Sequence, residues 1–173
     1  MIRVYLATKI LRDIGSKNGS SSKDVVDELK SIKGVEVILG QLRDLDESDF
    51  LLIFGHDCKH IKNCDIVVVD ARENIGTGTA QEILIAKYFS KPVITILPKN
   101  SYQRRANFEI NGKVVNDWIH PFVHSTSDTI IEDYKQLAEW IRKYSERKLK
   151  VKDIRIIDKS IEYYESKTKQ PKL

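Results

Sequence analysis

The sequence predicts a single α/β domain, a doubly wound and mostly parallel sheet with helices on both faces. Three observations predict it. Short apolar, largely β-branched runs at 2–7, 35–39, 66–69 and 93–97 read as buried strands. Segments of helical period separate them, and strands that alternate with helices build a parallel sheet covered on both sides. A length of 173 residues with a hydrophobic share of 41% suits one domain with a substantial core.

In chain order, 2–7 is the first buried strand, and the polar run 17–22 is loop. A helix begins near Ser22. It carries Val25, Val26, Leu29 and Ile32 on one face, and Gly34 ends it. Residues 35–39 form the second strand, and 49–63 is a less periodic segment ending in a short helix. Ile66–Val69 is the strongest strand signal, four consecutive β-branched residues between Asp65 and Asp70. Residues 79–90 form a helix stopped by Lys91-Pro92, and 93–97 a strand ended by Pro98. The stretch 99–127 is long for a plain connection. It reads as a functional loop with a small hairpin around Asn111-Gly112. Residues 128–144 read as a helix, because Ile130, Tyr134, Leu137, Ile141 and Tyr144 recur at spacings of 4, 3, 4 and 3. That stripe is core or a subunit interface. A last helix is expected at 151–164, so that 1–147 forms the α/β domain and 148–173 a basic helix and tail. The arrangement is Rossmann-like, of the flavodoxin type. Ligands in such sheets sit outside the carboxyl ends of the strands, which gathers 7–22, 70–79 and 98–107 around one crevice.

Charge narrows the partners. The net charge is +4, but residues 142–173 carry 11 Lys/Arg against 5 Asp/Glu, and the rest of the chain is slightly acidic. The body is therefore no basic platform for nucleic acid, and the basic end reads as a solvated helix and tail. Cys58 and Cys64 cannot make a disulfide framework, which points to a reducing compartment. The first residues turn polar too soon for a signal peptide, and no apolar run approaches the ~20 residues of a bilayer span. A soluble, cytoplasmic protein without membrane partners is expected.

The chemistry concentrates in two stretches, 56–65 and 75–82. Gly76, Thr77, Gly78 and Thr79 follow a buried strand and open a helix, where backbone N–H groups and the helix dipole suit a phosphate or a sugar hydroxyl. Glu82 lies beside that seat. Two readings of it stand side by side, since Thr79-Ala80-Gln81-Glu82 has the form of a capping box and a carboxylate at this place also suits catalysis. The glycines are not a dinucleotide fingerprint, and no Walker lysine follows.

Taken together, these stretches resemble the nucleoside 2-deoxyribosyltransferase family and the related 2'-deoxynucleoside 5'-phosphate N-hydrolases. The residues that carry the resemblance are Tyr5 in Val-Tyr-Leu-Ala, Asp57 eight residues before Asp65, Gly78-Thr79-Ala80-x-Glu82, and Ala86 with Lys91-Pro92-Val93-Ile94. They span residues 2–98. The resemblance implies that Glu82 attacks the anomeric carbon, that Asp57 contacts the base and helps it leave, and that Tyr5 places the nucleophile. It also implies a nucleoside or nucleotide substrate, no metal or other cofactor, and a homo-oligomer built through the later helices with sites drawn from more than one subunit. At Gly76 the transferases carry aspartate and the hydrolases serine, so transfer and hydrolysis both stay open. Asp70, Glu73 and Asn74 are candidates to replace that group.

The remaining residues divide by chemistry. Arg104 and Arg105, followed by Asn107, read as a solvated charge pair or as a seat for a 5'-phosphate or carboxylate. His56, Cys58, His60 and Cys64 lack structural-zinc spacing and read as ordinary helix or loop residues. His120 and His124 read as solvated loop histidines or as substrate-side residues, and Trp118 as a core or interface anchor or a platform for a base. Two rival functions stay alongside. One is a nucleoside 5'-monophosphate N-glycoside hydrolase, including the lysine-decarboxylase-like phosphoribohydrolases, whose Pro-Gly-Gly lead-in is missing here. The other is a non-catalytic nucleotide-sensing domain.

Overall fold

The computed structural model describes residues 1–8, 22–40, 45–46, 48–147 and 149–168. The Ser-rich run before Ser22 and the turn after Thr8 lie outside them. Five parallel strands form the main sheet: β1 (Ile2–Ala7), β2 (Val35–Leu39), β3 (Ile66–Asp70), β4 (Val93–Ile96) and a strand at Thr129–Ile131. The spatial order is β2, β1, β3, β4 and then Thr129–Ile131. This is the doubly wound order of flavodoxin type, which opens its crevice beside the first strand.

Alternation along each strand divides the core. Val4, Leu6, Ile66, Val68, Ile94 and Ile96 face one side, where α1 (Lys23–Ser31) covers them with Val25 and Leu29. Tyr5, Ala7, Val67, Val69 and Val93 face the other, under α2 (Phe50–Asn63) and α3 (Thr77–Tyr88), which supply Ile61, Ile83 and Ala86. Period-two burial on both faces is why these runs read as uniformly apolar. Gly34, at φ +82°, makes the left-handed step that turns α1 into β2. Asp49 caps α2 by accepting from the Leu52 N–H at 2.9 Å, and α2 is a full helix rather than a short terminal one. At the start of β3, Asp65 accepts from the Arg3 N–H at 2.7 Å and so ties β3 to β1.

The segment 99–127 holds a two-stranded antiparallel hairpin, β5 (Arg104–Ile110) and β6 (Lys113–Ile119), then α4 (Pro121–Thr126). Asn111 and Gly112 both have positive φ at the hairpin turn, as the tight two-residue turn requires. The helix expected at 128–144 is split. Thr129–Ile131 is the last parallel strand, β7, followed by a 3-10 turn (Tyr134–Gln136) and α5 (Leu137–Ser145). The stripe spacing misled because Ile131, Leu137, Ile141 and Tyr144 share one core cluster. Ile130 instead packs on the opposite face, as a strand neighbour must.

The last helix, α6, runs Ile156–Thr168, five residues later than expected, because the preceding residues dock on the body. There the fully buried Lys87 ammonium is ion-paired with Asp128 and also donates to the Lys91 carbonyl at 2.9 Å. The Asp128 carboxylate accepts from the N–H groups of Val93 and Lys152, each at 2.7 Å. Lys152 Nζ donates to the Ser127 carbonyl at 2.6 Å. Among the described residues no helix is long and apolar enough to cross a membrane.

Candidate active site

Three side chains from three elements meet at the carboxyl ends of β1 and β2. Tyr5 is fully buried, its ring held in the cluster of Ile61, Ile83 and Ala86. Its hydroxyl donates to Glu82 Oε1 at 2.6 Å, a short charge-assisted bond between β1 and α3. Asp57 projects from α2 with its side chain about 22% exposed. Gly40 stands directly over both groups. A Cβ built there would lie 2.5 Å from the Tyr5 hydroxyl oxygen and 3.1 Å from Asp57 Oδ1. Among the described residues, Tyr5, Leu6, Thr8, Leu39, Gly40, Asp57 and Glu82 line a small cleft.

Glu82 does not serve as a capping residue. The helix starts three residues earlier than the capping box requires, with Gly76 as N-cap and no side-chain cap bond. Thr79 therefore sits in the first turn and is buried beneath the helix. Glu82 falls in the second turn, where its carboxylate turns to Tyr5.

The expected substrate contacts fall on three parts of the fold: the end of β3, the start of α3 and the hairpin. Gly76, Thr77 and Gly78 form the N-terminal turn of α3, about 7 Å along the helix from Glu82 at 1.5 Å per residue. Asp70 is engaged structurally. Arg72 Nε donates to its Oδ1 and the Ser22 hydroxyl to its Oδ2, at 2.9 and 2.8 Å, while Arg72 also pairs bidentately with Asp24. Arg104 is only 8% exposed. Its Nε and Nη2 donate to the two Asp117 oxygens at 2.7 Å, so its fork closes the hairpin instead of presenting itself to a phosphate. Arg105 is exposed, with its guanidinium 4.9 Å from the Phe108 ring centre and 5.9 Å from that of Trp118. Asn107 is exposed on the same hairpin at φ +50°. None of these three is among the described residues that line the Tyr5–Glu82 cleft.

The thiols are poor nucleophiles here. Burial and the Asp57 carboxylate push Cys58 up, and burial pushes Cys64 up to about 11. Among the described residues no three His, Cys, Asp or Glu side chains group as metal ligands.

Gly40 had no sequence signal beyond a glycine after a strand. Gly40→Ala is expected to lower the unfolding free energy by about 1–3 kcal/mol, the usual cost of overpacking. Combining it with Tyr5→Phe removes the atom that the new methyl meets first, so most of the alanine penalty should vanish in that background. A double-mutant cycle by urea denaturation measures this coupling.

The fold and the cleft define a class, an open parallel α/β domain with paired carboxylates beside its first strand. Within that class, the chain is similar in structure to a 2-deoxyribosyltransferase from Bacillus psychrosaccharolyticus. The TM-score is 0.56 at 22% identity, over 87% of this chain and 98% of that one. It is also similar to the 2-deoxyribosyltransferase from Leishmania mexicana, with a TM-score of 0.57 at 17% identity over 82% and 98% of the two chains. It shares their fold. The chain matches no protein-family model and no curated protein sequence.

Proposed function

We propose that this chain is an enzyme of the nucleoside 2-deoxyribosyltransferase type. It cleaves the N-glycosidic bond of a nucleoside or nucleoside monophosphate and passes the sugar to water or to a second base. The observation that carries the reading is the 2.6 Å bond from the Tyr5 hydroxyl to Glu82 in a cleft that Asp57 also lines. Departure of the base builds positive charge at the anomeric carbon, and a carboxylate held in place stabilises or captures it. Glu82 takes that role, Tyr5 orients it, and Asp57 protonates the departing base, an effect worth about 10²–10⁴-fold. The N-terminal turn at Gly76–Thr77–Gly78 is the seat assigned to the polar end of the substrate.

A homo-oligomer belongs to the same reading. Phe50, Leu51 and Phe54 on α2, and Phe122, Ile157 and Ile161 near α6, are exposed apolar side chains that a second copy would cover.

Purine and pyrimidine nucleosides and their 5'-monophosphates, each incubated with and without a second free base, test the proposal by chromatography of the bases. Release or exchange of a base is the expected result. Exchange identifies a transferase and release alone a hydrolase. Binding of a nucleotide with neither would replace the proposal with a sensing domain.

A further inference from the structure

Next to Asp57, α2 carries two histidines that the proposed reaction does not use. His56 and His60 are one turn apart, so their side chains share a face of the helix. His56 Nδ1 lies 2.9 Å from Asp57 Oδ1, and His56 Nε2 lies 3.0 Å from His60 Nε2. The hydrogen-bonded chain Asp57–His56–His60 therefore leads away from the cleft. An Nε2–Nε2 contact at 3.0 Å has room for one hydrogen. Two imidazolium rings would put two hydrogens there and set like charges against each other. The pair can thus hold one extra proton while the contact lasts, but not two.

We infer that His56 and His60 form a one-proton reservoir for Asp57. The inference rests on the proposed role of Asp57 as the acid of base departure. Its proton balance closes. Asp57 gives its proton to a ring nitrogen of the leaving base and becomes a carboxylate. With the extra proton on His60, the proton on His56 Nδ1 then moves to Asp57 Oδ1 and the shared hydrogen passes from His60 Nε2 to His56 Nε2, which leaves both rings neutral, His60 protonated on Nδ1 alone, and the reservoir empty. When water or a second base attacks the sugar and releases its proton to the site, the transfers run in reverse. Burial, followed by the neighbouring His56, lowers the His60 pKa, in keeping with a second proton that enters late. Lys59 on α2 acts on His60, Cys58 lies beside Asp57, and Tyr5 from β1 and Glu82 from α3 share the Asp57 cleft.

Two measurements test it. The first needs no substrate. Long-range ¹H–¹⁵N spectra of the imidazoles follow both rings with pH, and the chain has only 4 histidines to assign. The expected result is a coupled titration, one proton shared by both rings and a second entering at clearly lower pH. In His60→Phe, the coupling should be lost. Two independent titrations in the wild type would overturn the reservoir. The second measurement is the pH profile of base release. His60→Phe should lower kcat on the order of 10-fold with little change in KM, and should shift the limb of the profile set by the pair's first proton. An unchanged profile, with the coupling confirmed, would show that the pair does not serve Asp57 and would overturn the inference. A wild type that shows the coupled titration but releases no base overturns the proposed function instead.

Discussion

Glu82→Gln is expected to remove base release almost completely, on the order of 10³-fold or more in kcat, while the protein stays folded. The amide keeps an oxygen that accepts from the Tyr5 hydroxyl, now at 2.6 Å from the carboxylate, and fills the same volume. What it loses is the negative charge that meets the anomeric carbon. Glu82→Ala should be as inactive but less stable, by about 1–3 kcal/mol, because it strips a partner from a buried tyrosine hydroxyl. Tyr5→Phe should lie between the wild type and these variants in rate. Single-turnover assays with parallel urea denaturation separate the two effects. A Glu82→Gln protein that turns over at the wild-type rate would sink the assignment of this carboxylate.

The largest expected effect on stability lies elsewhere, at Asp128. Its side chain is about 1% exposed and that of Lys87 is fully buried. Breaking a buried ion pair by removing one partner leaves an uncompensated charge and costs about 3–5 kcal/mol. Asp128→Ala should reach at least that range, because it also strips the acceptor from the N–H groups of Val93 and Lys152. Replacing both partners, as Lys87→Met with Asp128→Leu, should recover part of the loss. Equilibrium denaturation of the three variants decides the matter, and a loss below about 1 kcal/mol in Asp128→Ala would contradict a tightly paired site.

The sheet was largely legible because its strands are apolar on both faces, so β1 to β4 appear as continuous runs that need no knowledge of their partners. β7 was not, since three residues are too few to show alternation and their spacing happened to continue that of α5. Thr79 illustrates a second limit. A capping box is a local pattern, but the helix start was set by the turn at Gly76, three residues ahead of the pattern. Arg104 could not be placed for a third reason: its partner Asp117, diagonally across the hairpin, comes within reach only when the hairpin closes. Within the candidate site, Tyr5, Asp57 and Glu82 were named through the family resemblance, since the local pattern of Glu82 alone also fits a capping box. The hydrogen bond spanning 77 positions from Tyr5 to Glu82, and the close approach of Gly40, exist only in the folded chain.

The docking of Lys152 on Asp128 also bears on where this fold can be cut. The sequence places the boundary between the α/β body and its basic tail at 147 and 148, between two expected helices. A fragment stopped there would keep every strand yet lose the peptide N–H that the Asp128 carboxylate accepts, together with Leu149 and Val151 from the core margin. A fragment that keeps these contacts extends to about residue 153. Deletions meant to remove the tail and spare the domain belong beyond that point, within α6.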